Sequence, residues 1–354
     1  MTTVVASRFP KPIFEPVLER FTEVAATHFG SSEIRLVPVR YEERPYSYIL
    51  RVAAFRPAVD SSAGHVFVKV FKPKPDLSDA DMRQRVSHDF DVTTKVRAAM
   101  STYADLGAVT PLACYPDLLA IVTEETAGET LLAYLDAHAR WHPPSPRLGE
   151  LASTMARAGR WVRAFQRIDP GNAVVRVEAL RDYVDIRLQR LVAHQPAGLS
   201  AVDAARILDH IDDLGTQVKS DALREVTIHA DLAPGNILVA SGRIVVLDLA
   251  MMRRGVRLHD LARLWMQLDL LTAKPAFRTG TIRAMQDALL QGFEPGLTVD
   301  DPLFRLVSVL HRINHLSTLL LRRERFPARV YNTLLIRMHR RWLEQTLACS
   351  EMRC

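Results

Sequence analysis

Residues 228–250, IHADLAPGNILVASGRIVVLDLA, confine the chain more than any other segment. Two aliphatic runs, NILVA and RIVVL, flank the pair Ser241-Gly242, which suits a two-residue hairpin turn. That turn pairs Ala240 with Arg243, Val239 with Ile244, and Leu238 with Val245. Asn236 and Asp248 then emerge side by side at the open end of the hairpin. A carboxamide and a carboxylate converging there form an oxygen-rich corner suited to Mg²⁺, which takes hard oxygen ligands and completes its shell with phosphate and water. Asp231 lies five residues before Asn236, on a loop that Pro234 and Gly235 stiffen and turn, and it can face the same corner without ligating the metal. Taken singly, these residues are ordinary: loop polar groups, a strand-end Asp, a satisfied core histidine at His229. Their joint spacing carries the argument.

At 354 residues the chain exceeds the usual single core, so two lobes are expected. With 48% hydrophobic and 24% charged residues, the bulk of it is not disordered. Cys114, Cys349 and Cys354 are odd in number and lack CxxC spacing, which argues against a disulfide framework or a zinc site. The N-terminal MTTVVASRFPKP lacks the basic start and apolar core of a signal peptide, and no run of 18 apolar residues occurs. A soluble cytoplasmic protein is expected. Residues 301–354 hold ten Arg and no Lys against four acids, so the formal charge of +6 is concentrated there.

The first third mixes strands and helix. YSYILRVAAF and HVFVKVF read as neighbouring antiparallel strands across the turn-forming RPAVDSSAG. A helix starts near Ser78, where Ser78 and Asp81 have capping-box spacing and Met82, Val86 and Phe90 recur, with Val92, Val96 and Met100 continuing the apolar surface. LLAIVTEETAGETL adds a strand that runs into a polar connector. From Leu131 the chain is mainly helical, the hairpin segment interrupting it, and Asp260 opens another helix, DLARLWMQLDLL. There is no internal repeat.

HxDxxxxN followed by a short hairpin and a second Asp resembles the catalytic and metal-binding segments of the protein kinase-like superfamily. The form HADLAPGN, with a helical C-terminal half, is similar to its aminoglycoside phosphotransferase and choline kinase branch, which phosphorylates small molecules. The resemblance implies an α+β bilobal fold, with a small antiparallel-sheet N-lobe carrying one main helix and a larger helical C-lobe. The expected organisation is a nucleotide lobe over residues 1–122, a hinge over 123–128 and an acceptor-binding lobe over 129–354. It further implies that Asp231 accepts or orients the proton of the substrate hydroxyl. Asn236 and Asp248 hold Mg²⁺ under the ATP phosphates, His229 braces the loop, and Asp260 ties the loop backbone to the next helix.

The same resemblance requires a lysine on a strand and an acid on the next helix. Lys69 in HVFVKVF meets the first demand, since a lysine inside an aliphatic strand needs an anionic partner if buried. Asp89 meets the second: helical spacing puts it on the face of Val92 and Val96, whereas Asp91 points away. Thr123 and Glu125 fall at the hinge that holds adenine through backbone groups. Two departures stand out from the family pattern. The phosphate-covering loop EERPYSYIL has no glycine, leaving Ser47 and nearby amides to cover the phosphates, and the segment after Asp248 reads Leu249-Ala250 without the Phe of protein kinases.

The implied activity is ATP- and Mg²⁺-dependent transfer of the γ-phosphate to a small-molecule hydroxyl; the alternative is a catalytically inactive nucleotide-binding scaffold. Basic terminal helices favour a sugar, a glycan intermediate or a lipid-linked acceptor over a polycation. The same Arg cluster could touch an anionic membrane peripherally. Aromatic residues near it, Phe326, Tyr331 and Trp342, are too sparse to suggest nucleic acid.

Overall fold

A computed structural model describes residues 9–31, 33–57, 61–194, 199–321 and 326–351. The chain divides into two units: the first runs to Gly128 and takes in Val245–Ala250, and the second comprises Glu129–Ile244 and Met251 onward. The sequence reading instead places residues 245–250 in the C-terminal lobe.

In the first unit α1 (Lys11–His28) precedes strands β1 (Arg35–Glu43), β2 (Ser47–Arg56) and β3 (Ser61–Phe71). Then come α2 (Asp79–Met100), β4 (Leu106–Ala108), β5 (Pro111–Tyr115) and β6 (Ala120–Glu124). Five strands form one antiparallel sheet in the order β1-β2-β3-β6-β5. The period-two alternation of a half-buried strand sends Leu50, Val52 and Ala54 of β2 and Val66, Val68 and Val70 of β3 into one core. Phe14, Val17, Phe21 and Ala25 of α1, spaced three and four apart on one helix face, pack into the same core. Neither α1 nor β1 is among the elements expected from sequence. The β2–β3 pair is, and its register sets Lys69 opposite Ile49.

Helix α2 begins as expected. The Ser78 side chain accepts the Asp81 amide and the Asp81 carboxylate accepts the Ser78 amide, which satisfies two donors of the first turn reciprocally. Its buried face runs Met82, Val86, Asp89, Val92, Val96 and Met100. Phe90 is only half-buried and not part of that face, because it sits a full residue out of phase with Asp89.

The second unit contains β7 (Glu129–Thr130), α3 (Leu131–His138), α4 (Ser145–Gln166), α5 (Val177–Ala193) and α6 (Ala201–Gln217). Strands β8 (Glu225–Ile228), β9 (Ile237–Ala240), β10 (Arg243–Val246) and β11 (Arg253–Val256) follow, of which β10 continues into the first unit's segment. Helices α7 (His259–Asp269), α8 (Thr279–Phe293), α9 (Pro302–Leu321) and α10 (Ala328–Glu351) end the chain. Strands β9 and β10 are neighbours joined by Ser241 and Gly242, at φ +42 and +81°. Positive φ at both turn residues matches the twist of a right-handed hairpin, which is why Gly stands there. Strand β11 pairs antiparallel with β8, setting Arg253 opposite Ile228.

Helices α4 and α8 approach closely through two glycines. A Cβ at Gly159 would lie 2.2 Å from the Leu289 carbonyl oxygen, and one at Gly292 would lie 2.1 Å from that of Ala156. Helix α9 is buried nearly all round, and Arg312 is 1% exposed on it. Its guanidinium contacts Asp269 at 2.5 Å and lies 4.9 Å from the Trp342 ring centroid. Arg312 therefore does not belong to an exposed basic face. Arg322, Arg323, Arg325 and Arg353 of the expected Arg cluster lie outside the described residues, as does Cys354. Among the described residues no helix is long and apolar enough to cross a membrane.

Candidate functional site

The sequence-selected residues fall into two groups, one in each unit. In the first unit Lys69 is out of phase with Val68 and Val70, so it leaves the opposite face of β3 from the core. There its Nζ lies 2.8 Å from Asp248 Oδ1 and 3.9 Å from Asp89 Oδ2. Asp89 is 6% exposed, whereas Asp91 is exposed. Burial pushes the Asp89 carboxyl above its ordinary value; the Lys69 charge pulls it back and the Asp248 charge pushes it further up. Asp248 has φ +58°, a left-handed conformation that Asp tolerates better than most residues.

Ser47 is buried opposite Phe71, and its carbonyl accepts the Arg44 amide at 2.8 Å. The β1–β2 connection is thus a three-residue turn, Arg44 to Tyr46, far tighter than an open glycine loop. Thr123 lies within β6 opposite Phe67. Glu125 follows the end of β6. Its amide donates to the His65 carbonyl at 2.9 Å, and its carboxylate takes a bidentate bond from Arg51 with both distances 2.8 Å. The Glu125 amide is thus engaged with strand β3, while β6 itself runs to Glu124.

In the second unit Asp260 is fully buried at the start of α7 and accepts the amides of His229 at 2.6 Å and Ala230 at 2.9 Å. Burial alone would raise the Asp260 carboxyl, but the hydrogen bond and charge of His259, with His229 behind them, bring it below the ordinary value. This anchor holds Ala230 at φ +64°, a conformation that costs a residue with a Cβ about 1 kcal/mol. The loop is pinned elsewhere by His229, fully buried with its ring edge-on to Trp161 of α4, and by the buried Leu232 and Pro234.

Between these anchors Asp231 stays open, its side chain 45% exposed. The Asn236 carboxamide donates through Nδ2 to the Asp231 carbonyl at 3.0 Å and approaches Asp231 Oδ2 at 3.4 Å. With Nδ2 so engaged, Oδ1 of Asn236 is the atom left to face a cation. Among the described residues no group of three or more His, Cys, Asp or Glu side chains is placed to hold a metal ion. A carboxylate and a carboxamide oxygen are instead the donor types that suit Mg²⁺ when phosphate and water supply the rest of its shell.

Arg263 of α7 was absent from the sequence selection. Its Nη2 lies 2.5 Å from Asp231 Oδ1. The signal was present, since Arg263 follows Asp260 by three residues and so shares its helix face.

No curated protein matches the chain in sequence. Among solved structures, the choline kinase from Cryptosporidium parvum Iowa II is similar at 14% identity, covering 95% of this chain and 97% of that one with a TM-score of 0.55. The macrolide 2'-phosphotransferase MphH from Brachybacterium faecium follows at 15% identity, 94% and 98% coverage and a TM-score of 0.51. A thermostable variant of the aminoglycoside phosphotransferase APH(4)-Ia, in ternary complex with ADP and hygromycin B, has 14% identity, 92% and 97% coverage and a TM-score of 0.51. At these identities the likeness establishes a kinase-like fold. The sequence model of the APH family, described as the phosphotransferase enzyme family, matches residues 45–303. That match spans most of the chain, and the protein belongs to the phosphotransferase enzyme family.

Proposed function

We propose that the protein is an ATP- and Mg²⁺-dependent kinase that transfers the γ-phosphate to a hydroxyl of a small molecule. The observation that carries this reading is the loop at Asp231, a partly exposed carboxylate on a backbone fixed by the buried Asp260. In the proposed reaction the acceptor oxygen bonds to the γ-phosphorus, the bond to the β–γ bridging oxygen breaks, ADP leaves, and the hydroxyl proton passes to Asp231. Catalysis of this kind is mostly positioning and charge neutralisation, so a rigid loop matters more than a strong base.

Lys69, with Asp89 behind it, is suited to the α- and β-phosphates. The metal roles at Asn236 and Asp248 remain those the resemblance implies, and bound Mg²⁺ would supply neutralisation of the phosphate charge. His229 and Asp260 support the loop. Thr123 and the carbonyl of Glu125 are assigned to the adenine edge, and Ser47 to the phosphate cover. The ADP complex of the APH(4)-Ia variant supports a nucleotide role for this fold.

The acceptor is proposed to be neutral or anionic, such as a sugar, a glycan intermediate or a lipid-linked headgroup. Its support is the basic character around the loop: Arg263 sits on Asp231, and Arg253 lies opposite Ile228, the residue before His229. An aminoglycoside or choline would meet like charge there. The tight Arg44–Tyr46 turn favours a second reading, a scaffold that binds nucleotide without turning it over. Release of γ-labelled phosphate from ATP with Mg²⁺, and its transfer to a panel of sugars and lipid-linked acceptors, separates the two. Turnover lost in Asp231→Asn supports the kinase; nucleotide binding with no turnover in the wild type supports the scaffold.

A further inference from the structure

The two carboxylate oxygens of Asp231 are held unequally. Oδ1 takes Arg263 Nη2 at 2.5 Å, whereas Oδ2 is approached by the Asn236 amide at the longer distance of 3.4 Å. Arg263 is the more buried partner, 20% exposed against 45% for Asp231, so the guanidinium reaches the carboxylate from the protein side. Asp260 and Arg263 leave α7 one turn apart on one face. The first binds the amides of His229 and Ala230 and the second binds the Asp231 side chain, so a single helix fixes both the loop backbone and its carboxylate.

We propose that Arg263 is a positioning residue for phosphoryl transfer: it clamps Asp231 by Oδ1, so that Oδ2 is the oxygen that meets the acceptor hydroxyl. The proposal rests on the kinase reading above. A carboxylate on a short side chain can rotate about two bonds, and a displacement of about 1 Å at a reacting group costs up to about 100-fold in rate. The charge-assisted bond removes that freedom, and the guanidinium also offsets the repulsion between the Asp231 charge and an approaching phosphate. Arginine suits the task because its planar fork fixes direction, which a lysine ammonium does not.

The test measures Mg²⁺-dependent ATP hydrolysis, with water as acceptor, for the full chain and for Arg263→Met and Arg263→Lys. Each variant is made with Asp231 intact and with Asp231→Asn. Arg263→Met should lower kcat about 10- to 100-fold with KM for ATP within about twofold, and Arg263→Lys should recover part of the loss. In the Asp231→Asn background the Arg263→Met change should have almost no further effect, because its route runs through Asp231. A loss of the same size in both backgrounds, or a faster enzyme on removing Arg263, would overturn the clamp. Urea unfolding of the same six proteins gives a readout without turnover. Coupling between the two positions is expected, and its absence while Mg·ATP still binds overturns the clamp alone. Failure of the wild type to bind Mg·ATP would instead overturn the kinase reading.

Discussion

Lys69 and Asp248 form the closest charge pair of the first unit's group, Nζ to Oδ1 at 2.8 Å, although 179 residues separate them in the chain. Both side chains remain partly exposed, at 26% and 40%, so the pair contributes below about 1 kcal/mol to stability. Asp248→Ala should therefore unfold in urea within about 1 kcal/mol of the wild type. Its nucleotide response should differ far more. At Mg·ATP a hundredfold above Kd the wild type gains about 2.7 kcal/mol by mass action, a gain the variant should lose. Thermal melts with ATP and with GTP, each with and without Mg²⁺, measure this; an undiminished shift in Asp248→Ala would remove the metal role from that residue.

Asp89 should make stability depend on pH. Its folded-state value lies above that of the unfolded chain because burial outweighs the pull of Lys69. As pH falls, the folded form takes up the proton before the unfolded form does, so stability is gained from the folded value down to the ordinary carboxylate range and is lost again as pH rises. The difference in unfolding free energy between wild type and Asp89→Asn should accordingly fall as pH is raised from about 4. It should level off once the carboxyl is ionised in both states. A difference that rises with pH would mean that Lys69 dominates after all.

What could be read from the sequence was what local chemistry dictates. Ser241-Gly242 sets a two-residue turn because both positions take positive φ. Ser78 and Asp81 announce a helix start, and the three-and-four spacing of Asp89 with Val86, Val92 and Val96 puts an acid among buried aliphatics. What escaped was set by distant partners. The ion pair of Glu125 with Arg51 joins positions 74 residues apart, which no local pattern announces. Arg312 counts as surface charge until α9 is seen to be buried around it. Helix α1 was legible in principle, but Pro16 and its interspersed charges mask the spacing of Phe14, Val17, Phe21 and Ala25.

The contact of α4 with α8 has no room for a methyl group at either glycine. In Gly159→Ala the new carbon would meet the Leu289 carbonyl oxygen at 2.2 Å and the Phe293 amide nitrogen at 2.6 Å, both backbone atoms that no rotamer change can move. The helices must separate, and a cost of about 1–3 kcal/mol is expected. Trp161 and Phe165 of α4, both buried, would shift with them. A lowered urea midpoint with unchanged slope would confirm the close crossing; a midpoint equal to that of the wild type would contradict it.

Asp260 allows stability and function to be separated at the loop that carries Asp231. In Asp260→Ala the amides of His229 and Ala230 lose their acceptor in a fully buried position, and each unsatisfied donor costs about 1–3 kcal/mol. Ala230 would then relax from φ +64°, carrying Asp231 away from its present place. Asp260→Asn keeps one carbonyl oxygen but brings an NH₂ group toward a backbone donor, so it should sit between alanine and the wild type in stability. Both variants should lose ATP turnover more than ATP binding, since the Lys69 group belongs to the other unit and contains neither residue. Isothermal titration with Mg·ATP, set beside phosphate release, decides it: a variant that loses binding and turnover equally would show that Asp260 supports the whole enzyme rather than the loop that holds Asp231.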